Sequence, residues 1–209
     1  PTRFYQANVM LYSKLVRWDQ NNIPEPDLAE KWEVSTDASR WTFYLRKGVK
    51  FHNGKAFTAQ DVVYSLKHIA DPETRSPVAA NLDVIDLDRI ETPDDYTVVL
   101  NLKSPHSDLV VLLADYRICM IPEGSAATIG KTGIGTGPFK LETFDPQGTT
   151  VLLANDEYYE GVPKVARVEI LGIASTEAQT AAMLAGQIDM LTVSPENAKQ
   201  FENNPQFEI

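Results

Sequence analysis

Few residues in this sequence have the types and the spacing that metal-ion or thiol chemistry requires. The histidines, His52, His68 and His106, lie far apart along the chain, without the short spacings of metal-binding motifs. Cys119 is the single cysteine, so the chain can form no internal disulfide. Its apolar neighbours in residues 118–121 indicate a buried, inert thiol. We therefore expect no metal centre, no cofactor and no thiol catalysis.

Pairs of acidic residues are the next candidates, because two carboxylates can serve as a general acid and a general base. Asp86 and Asp88 occupy alternating positions of a predicted strand, and Asp94 and Asp95 lie at the tip of a predicted hairpin. Such positions are typical of solvated residues. The sequence also lacks G-x-S-x-G and a Ser-His-Asp arrangement. We expect no enzymatic activity; a hydrolase or transferase domain is the alternative, which a nucleophile beside a base would identify.

The glycine-rich segment 129–137, IGKTGIGTG, contains the tripeptide GKT of phosphate-binding loops. The complete loop needs a glycine five places before Gly130, where this chain has Ser125, and it needs a helix next, whereas a strand is predicted here. We therefore interpret the segment as a structural loop with close backbone approach. A positive φ is predicted for Gly135 or Gly137.

Composition limits the partners of the protein. The chain has 209 residues, enough for one or two domains, and a net charge of −10, which argues against binding nucleic acid or an anionic membrane surface. No apolar run approaches the roughly 18 residues that cross a bilayer, so we expect no membrane insertion. No signal peptide is recognisable and Pro1 is not a natural start, so we expect the natural chain to begin upstream.

The segment from residue 28 to residue 66 has the clearest local pattern. Residues 32–34 and 41–45 are rich in β-branched and aromatic side chains and flank a polar turn, which predicts a hairpin. The aromatic side chains of this segment are expected in the core. Thr58, with Asp61 three residues later, resembles a capping box, and apolar residues at helical spacing follow.

Further hairpins and a short helix are predicted downstream. Residues 84–91 and 96–102 form the second predicted hairpin, and residues 139–144 and 150–153 form the third. A short helix is predicted over residues 108–114.

The C-terminal part predicts a βαβ unit. Strands over residues 165–170 and 188–193 flank a helix capped by Ser175 or Thr176, and this order favours parallel strands. Pro195 then begins another helix.

The order of several sequence segments resembles that of a known family. The segments are LAEKWEVS at 28–35, WTFYLRKGVKFHNG at 41–54, FTAQDVVYSL at 57–66 and GTGPF at 135–139. Together they resemble the signature of the family 5 extracellular solute-binding proteins, the receptors of dipeptide, oligopeptide and nickel ABC importers. The resemblance implies an α/β fold: a periplasmic-binding-protein-like (type II) lobe with a mixed sheet plus an inserted α+β subdomain.

The resemblance also implies a domain organisation. Residues 1–19 and 135–209 would form an incomplete first-lobe sheet domain, and residues 20–134 the inserted α+β subdomain. Proteins of this family are longer, so the second lobe is expected to lie outside these 209 residues.

The resemblance implies that the protein captures a small solute and delivers it to the transmembrane subunits of an ABC permease. The solute expected in the first place is a di- or oligopeptide. The protein would be monomeric and periplasmic, or lipid-anchored on the outer side of a Gram-positive membrane. A receptor for a nickel chelate, a sugar or an opine is the alternative within the family. The resemblance places this lobe's ligand contacts at Thr2, Arg3, Tyr5, Ser13, Lys14, Ser76, Asn81, Asp115 and Tyr116.

Two of these positions, residues 13 and 14, differ from the family pattern. Ser13-Lys14 stands where many oligopeptide-binding members have Glu-Gly. The usual contact with the peptide backbone is therefore not expected in its ordinary form. The acidic residue that receives the peptide's amino group in those proteins belongs to the second lobe.

Overall fold

The computed structural model describes residues 2–145, 147–202 and 204–208, with side chains from residue 6 onward. The chain divides into two compact units, Pro1–Ile170 and Leu171–Ile209. The sequence predicted domain boundaries at residues 19/20 and 134/135, between the sheet domain and the inserted subdomain. The division into these two units does not test those boundaries, which remain a prediction.

The helices of the described chain are α1 (Thr2–Leu11), α2 (Ala59–Ala70), α3 (Leu109–Leu113), α4 (Ile129–Thr132), α5 (Thr176–Leu184) and α6 (Pro195–Ala198). The strands are β1 (Val16–Trp18), β2 (Pro24–Pro26), β3 (Ala29–Val34), β4 (Arg40–Leu45), β5 (Glu91–Asp94), β6 (Thr97–Asn101), β7 (Phe139–Thr143), β8 (Thr149–Ala154) and β9 (Arg167–Leu171). Short 3₁₀ turns lie at Pro72–Thr74, Ala79–Leu82 and Leu87–Arg89.

A four-stranded sheet in the order β3-β4-β6-β5 forms the centre of the first unit. The first predicted hairpin is confirmed as β3 and β4, which pair antiparallel with Trp32 opposite Phe43. The Trp41 ring stacks on Phe43 at a centroid distance of 6.2 Å, and both side chains are buried. The indole N–H of Trp41 donates to the carbonyl of His106 at 3.2 Å, so its polar atom is also satisfied.

Helix α2 packs its apolar face into the same core. The predicted capping box is confirmed: the backbone N–H of Thr58 donates to Asp61 Oδ2 at 2.9 Å, and Thr58 in turn caps the first turn. Asp61 is buried, and it also pairs with Lys55 and accepts from the backbone N–H of Glu123. The start of α2 is therefore bound to two neighbouring loops.

The second hairpin is displaced from its predicted position. The predicted first strand, residues 84–91, contains a 3₁₀ turn at Leu87–Arg89, and the strand that pairs with β6 is Glu91–Asp94. The amide of Asn101 donates to the Arg89 carbonyl at 2.7 Å, which holds the turn against the sheet. A long-range side-chain contact therefore replaced the local strand propensity. The short helix predicted over residues 108–114 is confirmed as α3.

A three-stranded sheet, β7-β8-β9, completes the first unit. The third predicted hairpin is confirmed as β7 and β8, which pair antiparallel with Leu141 opposite Leu152. The strand predicted at residues 165–170 is β9. α1 packs against β7, and Leu11 of α1 shares a small core with Leu152 of β8.

The second unit contains α5 and α6. Ser175 caps α5, since its hydroxyl accepts from the N–H of Ala178 at 3.1 Å, and Pro195 begins α6, both as predicted. The predicted βαβ unit is wrong, because no strand is formed by residues 188–193 within the described chain. An apolar run becomes a strand only when a neighbour completes its hydrogen-bond ladder, and Met190 in this run is 80% exposed.

Candidate functional site

Two adjoining clefts open beside α1 in the first unit. Their volumes are about 420 Å³ and about 240 Å³. Both are lined by the same five residues, which come from three separate segments of the chain: Asn8, Tyr12, Arg117, Ile129 and Gly130.

The walls of the two clefts differ in chemistry. The larger cleft is mainly apolar, with Leu11, Leu141 and Phe144 among its lining residues and Tyr116 at its edge. The smaller cleft has more polar groups, contributed by Ser65, His68, Thr74 and Ser76 together with Cys119. A mainly apolar cavity with a few convergent polar groups is the usual form of a small-molecule site.

Asn8 lies in α1, and Tyr12 directly follows its last residue. The backbone N–H of Tyr12 donates to the Asn8 carbonyl at 3.0 Å, which continues the helical hydrogen-bond pattern and keeps the two residues on one face. The amide of Asn8 donates to the Tyr116 carbonyl at 3.2 Å and lies 3.4 Å from Cys119 Sγ. This side chain therefore joins α1 to the segment that carries Arg117. Burial raises the pKa of the Cys119 thiol to about 11, so the thiol is protonated at neutral pH, which agrees with the inert role predicted for it.

Arg117 supplies the permanent charge of the clefts. Its Nε and Nη2 groups donate to the two carboxylate oxygens of Asp115 at 2.9 Å and 2.7 Å. The guanidinium also lies 5.3 Å from the centroid of the Tyr116 ring, within cation–π range. These hydrogen bonds from Arg117 hold the pKa of the Asp115 carboxyl below its ordinary value, and the charge of Lys14 acts in the same direction.

The structure brings part of the predicted site to the clefts. Tyr116 lines the larger cleft and Ser76 the smaller one. Thr2, Arg3 and Tyr5 lie in the first turns of α1, and their side chains are outside the described residues.

The other predicted contacts lie away from the cleft walls. Asn81 and Asp115 line neither cleft. Ser13 and Lys14 are buried: the Ser13 hydroxyl lies 3.1 Å from the Tyr159 hydroxyl, and the Lys14 backbone N–H donates to Asp27 at 2.8 Å. A ligand role for all these residues stays a prediction.

A buried polar cluster supports the Ser13-Lys14 corner. Asp27 is 3% exposed and accepts from the Tyr159 hydroxyl as well as from Lys14, while Arg17 lies 3.8 Å away. Burial raises the pKa of Asp27, although these hydrogen bonds and charges oppose the shift. Both carboxylate oxygens of Asp27 accept hydrogen bonds, and the bond from the Lys14 backbone holds the chain in position after α1.

The glycine-rich loop packs directly on the end of α1. The predicted positive φ at Gly135 or Gly137 is wrong; Gly133 has it instead, at 59°. The predicted close approach is observed, because a Cβ at Gly135 would lie 2.0 Å from the Leu11 carbonyl oxygen, and one at Gly137 would lie 2.4 Å from that of Met10. Steric contact with α1, not turn conformation, therefore requires both glycines.

Asn8 and Arg117 were not among the residues predicted for the site, whereas Tyr12 lies in an element that the family resemblance already placed at the cleft. A signal for Asn8 was present, because it is a polar residue directly before the apolar run Val9-Met10-Leu11 and four residues before Tyr12. Arg117 directly follows two predicted residues, but its direction into the clefts depends on its bond to Asp115. Within the part of the chain that the structure describes, no cluster of residues suited to a metal ion is found and no helix is long and apolar enough to span a membrane.

Comparisons with known proteins agree with this fold. A Brucella ovis protein, whose name describes it as a candidate ABC transporter peptide-binding protein, is 31% identical over 194 residues. The solved structure of PBP AgaA in complex with agropinic acid, from A. tumefacien R10, has a TM-score of 0.89 and 29% identity over 98% of this chain. The structure of NikZ from Campylobacter jejuni in complex with Ni(L-His) has a TM-score of 0.85 and 26% identity over 94% of it.

This chain spans less than half the length of each of these proteins. The match to the Brucella protein includes 88% of this chain but 36% of that protein, and the two solved chains are covered to 42% and 40%. The model of the bacterial extracellular solute-binding proteins, family 5 (middle), matches residues 24–209. The chain therefore belongs to family 5 of the bacterial extracellular solute-binding proteins.

Proposed function

We propose that this protein is the solute receptor of an ABC importer, and that its first unit contributes the two clefts beside α1 to the solute site. The observation that supports this function most directly is the convergence on one cavity of side chains from α1, from residues 116–121 and from α4, on the fold of this family. The larger cleft, at about 420 Å³, has a volume within the range of small-molecule sites.

The solute that we place first is a di- or oligopeptide. The name of the Brucella relative supports this choice, and a cleft with apolar walls and a few hydrogen-bonding groups suits peptide side chains. An opine or a nickel chelate is the alternative, because the solved structures of AgaA and NikZ hold agropinic acid and Ni(L-His).

Transport rather than catalysis is proposed for the complete protein. The partners would be the transmembrane subunits of an ABC permease, and the receptor would act as a monomer on the outer side of the cytoplasmic membrane. The Cys119 thiol is protonated and contacts Asn8. The Thr74 hydroxyl lies 3.2 Å from His68 Nδ1 in the smaller cleft, but the family model and the names of the relatives favour binding over catalysis. The solute would therefore be bound and released unchanged.

Mass spectrometry of the solutes retained by the natural full-length protein after gentle purification tests this function. We expect one chemical class of small solute to be retained at near one per protein and to be lost on denaturation. A Tyr12→Ala variant, which removes a side chain common to both clefts, should retain less. Absence of any retained or added solute, with peptides, opines and nickel–histidine all offered, would contradict the proposal.

A further inference from the structure

Asn53 is the one asparagine of this sequence that is followed directly by a glycine. The pair lies at the exposed tip of a short hairpin over residues 50–56, in which Lys50 pairs antiparallel with Ala56. Exposed loop tips are where a folded chain is most accessible. Gly54 has no side chain beside its N–H, so an asparagine amide next to it meets the least steric hindrance. At this dipeptide, therefore, the asparagine side chain can react with the following backbone nitrogen more readily than elsewhere in the chain.

The reaction open to this dipeptide is deamidation through a cyclic imide, with water as the only co-reactant. The backbone nitrogen of Gly54 gives its proton to solvent and attacks Cγ of Asn53. The new N–Cγ bond replaces the bond from Cγ to Nδ2, which leaves as ammonia. Water then opens the ring: cleavage of the N–Cγ bond gives aspartate, and cleavage of the bond to the backbone carbonyl carbon gives isoaspartate. Asparagine is thermolabile in proteins, and this reaction needs no enzyme.

The folded hairpin holds both reacting groups in hydrogen bonds. The Gly54 N–H donates to the Phe51 carbonyl at 2.8 Å, so the attacking nitrogen is engaged. The Asn53 side-chain oxygen accepts from the backbone N–H of Lys55 at 3.1 Å, as in an Asx turn. Ring closure requires a free Gly54 nitrogen and an amide that has rotated onto it. Both hydrogen bonds must therefore break before the reaction can begin.

Contacts on two sides keep this hairpin closed. The Lys55 ammonium group pairs with Asp61, which is buried at the start of α2. The N–H of Gly135 donates to His52 Nδ1 at 3.2 Å, which attaches the other side of the tip to the glycine-rich loop. Opening the hairpin costs the free energy of these contacts, so only a small fraction of molecules is in the reactive state at any time.

We propose that Asn53 is a site of spontaneous deamidation, and that opening of the hairpin over residues 50–56 sets its rate. This inference goes beyond the receptor function and does not depend on it. Loss of ammonia makes the change irreversible, and the isoaspartate form lengthens the backbone between residues 53 and 54. The Lys55 carbonyl, which accepts from the Phe51 N–H at 2.8 Å, is then displaced from its partner. Each molecule that opens and reacts therefore loses part of the attachment between the hairpin, α2 and the glycine-rich loop.

Incubation of the natural full-length protein in mildly alkaline buffer measures the rate. Peptide mapping by mass spectrometry separates the asparagine, aspartate and isoaspartate forms of residue 53. We expect conversion in the native protein to be at least about tenfold slower than in guanidinium chloride at the same pH, which corresponds to an opening free energy of about 1.4 kcal/mol or more. Asn21 and Asn22 are internal references: both are exposed but not followed by glycine, so in denaturant they should convert more slowly than Asn53.

Lys55→Met removes the ion pair with Asp61 and leaves the Asn53-Gly54 dipeptide in place. It should raise the native rate about fivefold, the factor that corresponds to about 1 kcal/mol. Lys67→Met is the matched control, because Lys67 is exposed on α2 and lies outside the hairpin, and it should leave the rate unchanged. His52→Gln loosens the opposite side of the hairpin and should also raise the native rate, so the test does not depend on a single variant.

Three results would overturn the proposal. If the denatured chain does not convert at Asn53 faster than at Asn21 and Asn22, residue 53 is not the reactive site. Equal rates in native and denatured protein would show that the hairpin does not protect the dipeptide. Native rates that stay unchanged in both Lys55→Met and His52→Gln would remove the role of these contacts in setting the rate.

Discussion

His52 and Gly135 form two reciprocal hydrogen bonds, one through the His52 side chain and one between the two backbones. The N–H of Gly135 donates to His52 Nδ1 at 3.2 Å, and the backbone N–H of His52 donates to the Gly135 carbonyl at 2.8 Å. His52 Nε2 also lies 3.0 Å from the Gly137 carbonyl oxygen. The imidazole therefore binds the loop before α2 to the glycine-rich loop that packs on α1, and it does so as the neutral tautomer with the proton on Nε2.

We predict that this contact makes stability depend on pH. Burial lowers the pKa of His52, and the charge of Lys140 acts in the same direction. The native state thus favours neutral imidazole, whereas the unfolded chain takes up a proton near pH 6.5. The stabilisation is complete above about pH 6.5 and is lost as the pH falls from there through the lower native pKa.

Urea unfolding between pH 8 and pH 5 measures this dependence. His52→Gln removes the titrating group, so the variant should lose less stability than the unmodified protein over this interval. His106→Gln is a control, because His106 lies outside this contact. The same loss in His52→Gln as in the unmodified protein would show that other groups cause it.

We predict that Gly135→Ala is strongly destabilising. Its Cβ would lie 2.0 Å from the Leu11 carbonyl oxygen, and a backbone atom cannot move aside as a flexible side chain does. Overpacking typically costs about 1–3 kcal/mol, and we expect the upper part of that range. Gly130→Ala is the matched control: no atom lies within 4 Å of its Cβ, so thermal unfolding should be nearly unchanged. Equal melting temperatures for the two variants would contradict the close approach.

We predict opposite behaviour for Trp41→Ala and Tyr116→Ala. Trp41 is 3% exposed and its truncation should cost about 3–5 kcal/mol. Tyr116 is 38% exposed at the edge of the larger cleft, so its truncation should cost little stability but weaken solute binding in the full-length protein. Thermal melts and titrations on both variants measure this difference. Equal shifts in melting temperature would argue against the placement of Tyr116 at the cleft.

We predict that Tyr159→Phe destabilises the corner after α1 more than Tyr158→Phe does. The Tyr159 hydroxyl donates to buried Asp27 and lies 3.1 Å from Ser13, so its removal leaves a buried carboxylate with one donor fewer. Such a loss costs about 1–3 kcal/mol. The Tyr158 hydroxyl donates to Glu160 at 3.0 Å, a contact exposed to solvent, so its loss should cost less. Chemical denaturation of the two variants compares them directly, and a larger effect at Tyr158 would be inconsistent with this cluster.

Several elements could be predicted because their signals are local. Trp41 and its neighbours alternate in a strand beside a polar turn, and Thr58 with Asp61 satisfies the first turn of α2, so both appear where predicted. The order of these phrases also identified the family. Residues 188–193 show the limit of this reasoning, since an apolar run does not specify whether a partner strand is present.

The sequence by itself determined the first and third hairpins, the caps of α2 and α5, and the family. Only the tertiary structure decided why residue 135 must be glycine and why Arg117 lines the clefts. Gly135 is required by the carbonyl of Leu11, which is 124 residues earlier, and not by its own φ. Arg117 lines the clefts because Asp115 orients it and because α1 and α4 form the other walls. Local patterns follow from the backbone and side chains of neighbouring residues, whereas a cavity and its charge arise only when distant segments pack together.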